Sequence, residues 1–247
     1  CYTAGRKITV KGLMLHSVGC NQPKASVFIN SWNSPSYDRA CVHGFIDAND
    51  GTVYQTLPWN HRGWHCGSGS RGSGNNTHIG VEMCEPACIK YTGGSSFTCS
   101  DLAAARACAE RTYQAAVELF AMLCRQYSLN PLADGVVISH REGYARGIAS
   151  NHADPEHLWS QLGMGYTMDT FRKAVKAAMD GGSSNNTSGY TRIMGTAVAT
   201  AEQMKSYLKA KNPNVPQSVL DSIPLYLSEG QAEGVRGDIA FAQSCLE

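Results

Sequence analysis

Residues 12–16 read Gly12-Leu13-Met14-Leu15-His16, an unbroken apolar run that ends on a histidine. A run without polar alternation is the pattern of a strand buried on both faces. Two more stretches share this form: residues 78–84 (HIGVEMC) and 135–140 (GVVISH), the second again ending on a histidine. Between and around them the pattern switches period. Residues 24–33 carry Val27, Phe28, Ser31 and Trp32 at helical spacing, and Pro35 closes the segment. Residues 41–48 (CVHGFIDA) and 52–57 (TVYQTL) flank Asn49-Asp50-Gly51, which predicts a hairpin. A long helix is expected over about 101–127, capped by Ser100, with Tyr113, Val117, Phe120, Cys124 and Tyr127 on its core face. A last helix over about 168–179 buries Met168, Phe171, Val175 and Met179. Residues 1–179 therefore read as one α/β domain.

The whole chain has 247 residues, 43% of them hydrophobic and 17% charged, which excludes a wholly disordered polymer. Lys and Arg number 21 against 20 Asp and Glu, a formal net charge of +1. No field of that size steers a protein onto nucleic acid or an anionic membrane, so neither partner is expected. The longest nearly apolar stretch, residues 115–124, is interrupted by Glu118 and too short to span a bilayer. The chain opens on Cys1 without a basic-then-apolar leader, so a signal peptide is expected to have been removed or never used. Ten cysteines with no C-x-x-C spacing argue against a zinc ribbon and lean towards an oxidising compartment. Pairings such as Cys1 with Cys20, or Cys84 with Cys88, stay open.

Residues 180–189 (DGGSSNNTSG) contain no apolar side chain and are expected to form a linker. Residues 190–247 resume helical patterning with few aromatics. This piece is expected to be the beginning of a second domain rather than a whole one.

Three groups of residues stand out chemically. His16 and His140 each end an apolar strand, where a side chain leaves the core and can face a cleft. With Asp154 of Asn151-His152-Ala153-Asp154-Pro155 they make a three-ligand catalytic zinc set with one corner open to water. The plainer alternative is two satisfied core histidines. Glu82 interrupts the apolar strand 78–84, where desolvation disfavours a carboxylate unless something compensates. It reads either as an edge-strand residue pointing to water or as a general base beside a metal-activated water. The Gly-rich segment 57–67 (LPWNHRGWHCG) packs two tryptophans and two histidines together. It reads either as an ordered loop with Trp64 plugging the core or as a groove wall. In the latter case Trp64 and His65 contact substrate, together with His43 of the CVHGF segment.

The ordered motifs LMLHS, CVHGFIDANDGTVYQTLPWNHRGWHCG, NNTHIGVEMCE, ISHREG and NHADPEHLW resemble the zinc N-acetylmuramoyl-L-alanine amidases of the peptidoglycan-recognition (type 2 amidase) superfamily, over about residues 8–180. The resemblance implies a central mixed β-sheet flanked by helices, with Zn²⁺ at the C-terminal ends of the strands. It puts His16, His140 and Asp154 on the metal-ligand positions and Glu82 on the catalytic glutamate. His152 falls where relatives usually carry an oxyanion-stabilising lysine, and an imidazole there would make activity more sensitive to pH. The interval from His140 to Asp154 is longer than in many relatives, which leaves His152 and His157 as alternative ligands. Val42 stands where some branches have a tyrosine, which shifts the base role onto Glu82. The implied substrate is bacterial peptidoglycan, met outside the cell or in the wall by a monomeric enzyme that is either secreted or released by a phage. Segment 237–247 (GDIAFAQSCLE) resembles the start of a lysozyme-like glucosaminidase domain, which implies Glu247 as its acid catalyst and an incomplete, inactive half.

Two other readings compete. One is a wall-binding module of the same fold that does not cut. The other is a nucleophilic hydrolase using a cysteine such as Cys66 beside His65, although no Gly-x-Ser/Cys-x-Gly elbow is present.

Overall fold

A computed structural model describes residues 1–34, 36–37, 39–180 and 195–245. Pro35, most of the expected linker and Glu247 lie outside the described residues. The chain divides into two compact units, Cys1–Ser184 and Asn185–Glu247.

The first unit is built on a five-stranded sheet of order β3-β2-β4-β1-β7. Its strands are β1 (Gly12–Ser17), β2 (Gly44–Ile46), β3 (Val53–Gln55), β4 (His78–Met83) and β7 (Val137–Ser139). Strand β1 runs parallel to both β4 and β7, and β4 runs parallel to β2, whereas β2 and β3 form the antiparallel hairpin expected at Asp50-Gly51. The three apolar runs thus occupy the parallel centre, and every residue of β1 is buried.

Side chains alternate across this sheet, and the two faces have different covers. Leu13, Leu15, Ile79, Val81 and Met83 face helices α2 (Leu102–Gln126) and α5 (Met168–Met179), which contribute Val117, Phe120 and Phe171 to one core. The expected stripe on α2 is buried at Tyr113, Val117, Phe120 and Cys124, and Tyr127 packs against its edge. The N-cap of α2 is Asp101, not Ser100: its Oδ1 accepts from the Ala104 N–H at 2.9 Å. A carboxylate one residue closer to the first turn outcompetes the hydroxyl. On the opposite face Met14 and Ile138 pack with Cys66 and Ala149. Helix α1 (Ala25–Trp32) covers the β2 side, where Phe28 and Trp32 lie on Phe45 at ring separations of 5.4 and 5.0 Å, while Val27 is exposed.

Two further features depart from the sequence expectations. Strand β7 stops at Ser139, and His140 is the first residue of a short helix, α3 (His140–Ala145), closed by a capping box between Ser139 and Glu142. A second hairpin, β5 (Ile89–Gly93) with β6 (Ser96–Cys99), buries Ile89 against Ala105 and Ala109 of α2 and Leu158 of α4 (Glu156–Gln161).

In the second unit, α6 (Ala201–Lys211), α7 (Gln217–Glu233) and α8 (Gly237–Ser244) enclose Met204, Leu220, Ile223 and Phe241. Asp238 accepts from the N–H groups of Val198 and Ala199 and pairs with Arg236 at 2.7 Å, which holds its carboxyl well below the usual range. No helix among the described residues is long and apolar enough to cross a membrane.

Candidate active site

Strand register brings the singled-out residues together. His16 lies opposite Glu82 in the β1–β4 ladder, on the face shared by Met14 and Gly80. Leu15 lies opposite Ser139 in the β1–β7 ladder, so the next residues, His16 and His140, emerge side by side at the strand ends. Asp154 arrives from the loop before α4, and its carbonyl accepts from the Arg141 N–H at 3.3 Å, at the start of α3.

His16, His140 and Asp154 are all buried, and one ligand atom from each lies within 4.8 Å of the other two. Nδ1 of His16 is 3.0 Å from Nδ1 of His140 and 3.2 Å from Asp154 Oδ2, and Nδ1 of His140 is 3.6 Å from Asp154 Oδ1. Two ring nitrogens at that separation need a proton or a cation between them, because two facing lone pairs repel. Burial pulls the His16 pKa down, yet the Asp154 hydrogen bond, with Glu82 beside it, leaves it raised. Burial and the neighbouring His16 push His140 down to about 3, so the pair takes one proton and not two. Asp154 stays ionised despite its burial, held well below the carboxylate range by His152 and His16. Two imidazole nitrogens and one carboxylate oxygen, buried and converging, fit a divalent cation of the zinc class with an open fourth corner.

Glu82 flanks this cluster. Burial raises its pKa to about 7, with His16 opposing and Asp154 and Glu85 adding to the shift. Its Oε2 is buried and has no hydrogen-bond partner among the described residues. The ring of His152 stacks on His140 at 4.4 Å with planes 1° apart, and its Nδ1 is 3.6 Å from Asp154 Oδ1. His157, the other alternative ligand, is elsewhere: its Nε2 is 2.7 Å from the Tyr91 hydroxyl.

The expected groove residues separate. Trp64 is 51% exposed and plugs no core. His43 is fully buried, with Nε2 donating to the His61 carbonyl at 2.8 Å and Nδ1 accepting from the Gly80 N–H at 3.0 Å, so it offers nothing to a substrate. His65 Nδ1 lies 2.9 Å from His16 Nε2, behind the cluster rather than in front of it. Cys66 is buried, and desolvation pushes its thiol up to about 11, which leaves no thiolate for a nucleophilic reaction. Among the described residues no cysteine is bridged, neither Cys1 with Cys20 nor Cys84 with Cys88.

Other participants were not singled out from the sequence. Glu85 is fully buried and accepts from the Gly19 N–H at 3.1 Å and the Tyr91 hydroxyl at 2.7 Å, and burial raises it to about 6. The same argument that marked Glu82, a carboxylate against an apolar strand, would have marked it. Asn75, whose Oδ1 accepts from the His65 and Cys66 N–H groups, and Ser150, whose Oγ lies 3.2 Å from His140 Nε2, carried no comparable sign.

A family model described as N-acetylmuramoyl-L-alanine amidase matches residues 5–157, and its match does not extend to the second unit. The N-acetylmuramoyl-L-alanine amidase CwlH of Bacillus subtilis (strain 168) is 49% identical over 39 residues, 16% of this chain and 16% of that protein. The N-acetylmuramoyl-L-alanine amidase CwlA of a Bacillus species is 30% identical over 86 residues, 35% of this chain and 33% of that protein. The matched stretches thus span a third or less of these curated relatives. Among solved structures, the Staphylococcus aureus hydrolase AmiA, crystallised with its ligand, is similar with a TM-score of 0.50 and 21% identity, covering 71% of this chain and 74% of that one. At that identity the likeness concerns the fold.

Proposed function

This chain belongs to the N-acetylmuramoyl-L-alanine amidase family, and from that premise we propose that it is a zinc-dependent peptidoglycan hydrolase. The bond cleaved is the amide joining the lactyl group of N-acetylmuramic acid to L-alanine. The observation that carries this reading is the convergence of His16 Nδ1, His140 Nδ1 and an Asp154 oxygen beside the unpartnered carboxylate oxygen of Glu82.

His16, His140 and Asp154 would hold the ion. Zinc bound there supplies Lewis acidity to an attacking water and to the scissile carbonyl. Glu82 takes the water proton on its free Oε2 and returns it to the leaving amine, a role suited to a carboxyl tuned close to neutrality. His152, next to the cluster and with its pKa raised by the Asp154 hydrogen bond, donates to the developing oxyanion. Exposed Trp64 offers an apolar face to the glycan or stem peptide. The near-neutral chain suits a substrate held by a groove rather than drawn in by a field. Such an enzyme works outside the cell or at the wall, as a secreted autolysin or an endolysin.

Glu82→Gln decides the chemistry. Zinc content measured by atomic emission should stay at the wild-type level while muropeptide cleavage falls by about a hundredfold or more, the usual scale for losing a general base. Near-normal turnover in this variant overturns the assignment. A wild-type chain that holds wall fragments but releases no L-alanine amine would instead be the non-cutting module.

A further inference from the structure

We propose that His65 is a positioning residue for the metal centre: it fixes the tautomer and orientation of His16. The proposal rests on the metal-centre reading above and deepens it. His65 Nε2 lies 3.1 Å from the backbone carbonyl oxygen of His78. A carbonyl only accepts, so the ring proton of neutral His65 sits on Nε2, and Nδ1 carries a lone pair. That lone pair faces His16 Nε2 at 2.9 Å, which therefore donates. When a cation replaces the proton held at Nδ1 between His16, His140 and Asp154, the proton fixed on Nε2 would leave neutral His16 with its Nδ1 lone pair free for the ion, the form a metal needs. A single backbone carbonyl of β4 thus sets the state of a metal ligand two rings away.

The chain is built to keep this ring in place. His65 lies against Gly80, where the methyl group of any other residue would overlap the imidazole. Asn75 Oδ1 accepts from the N–H groups of both His65 (2.8 Å) and Cys66 (3.2 Å) and anchors the dipeptide. The Cys66 carbonyl accepts from Ser150 Oγ at 3.3 Å, and that hydroxyl lies 3.2 Å from His140 Nε2. The same two residues, His65 and Cys66, thereby back both ligating imidazoles, one directly and one through Ser150. The glycine in the IGVE motif has a physical role on this account: it makes room for the ring.

The test compares zinc affinities of the full chain by chelator competition for wild type, His65→Leu, His65→Asn and Gly80→Ala. Leu and Asn have nearly the same shape, but only the Asn Oδ1 can accept from His16 Nε2. His65→Leu should weaken zinc binding by about 10- to 100-fold. His65→Asn should recover most of that loss, and Gly80→Ala should weaken binding with His65 chemically intact. Equal affinities for the Leu and Asn variants, or a Gly80→Ala variant that binds like wild type, overturn the proposal and leave the metal centre standing. A wild-type chain that binds no zinc overturns both.

Discussion

His16 and Glu82 face each other across two central strands, and their protonation states follow from what surrounds each. Glu82 has a folded pKa of about 7 against an ordinary 4.5, so the folded protein keeps a proton there that the unfolded chain has released. The sign follows from linkage: this group favours folding below about pH 4.5, and its contribution is lost as pH rises through 7. In chelator-treated protein, Glu82→Gln should therefore gain melting temperature over wild type at pH 8 relative to pH 5. An identical difference at both values contradicts the buried, proton-holding carboxyl. The same titration gives the active enzyme an acid limb near or below pH 7, since a bound cation stabilises the carboxylate. At this scale the sequence was informative where a polar residue interrupts or ends an apolar run, as at His16, Glu82 and His140. It was uninformative for His43 and His65, which read as groove residues. Their partners are backbone groups of His61, His78 and Gly80 and, for His65, the His16 ring, contacts that exist only once the loop has packed.

Periodicity served the longer elements well. The buried stripe of α2 and the bounds of α5 follow the 3.6 period, because a long helix averages many weak preferences. Short elements were harder. The β5–β6 hairpin alternates Ile89 and Tyr91 ahead of Gly93-Gly94, a pattern that is present but brief. His140 reads as the end of a strand because Val137, Ile138 and Ser139 are one, yet Ser139 caps a helix and turns the chain at that point. The cap of α2 is a case with a simple check. Asp101→Ala should destabilise the protein by about 1 kcal/mol in thermal or urea denaturation, and Ser100→Ala by much less. The reverse order would return the cap to Ser100.

Over the whole molecule, the site exists because topology gathers residues far apart along the chain. His16 and His140 are 124 positions apart, and the β4-β1-β7 order makes them neighbours. Asp154 joins them through a loop pinned to the start of α3. Spacing along the sequence alone does not encode this convergence, whereas the order of five motifs does, through the fold it implies. The three-helix unit has its own small core. The proposed metal centre requires one ion held by His16, His140 and Asp154 together. Anomalous diffraction at the zinc edge, on crystals of the full chain grown with equimolar zinc, tests it most directly. A single peak bonded to His16 Nδ1, His140 Nδ1 and a carboxylate oxygen of Asp154 is the predicted result. A peak on other residues, or none at this cluster, would overturn the metal centre.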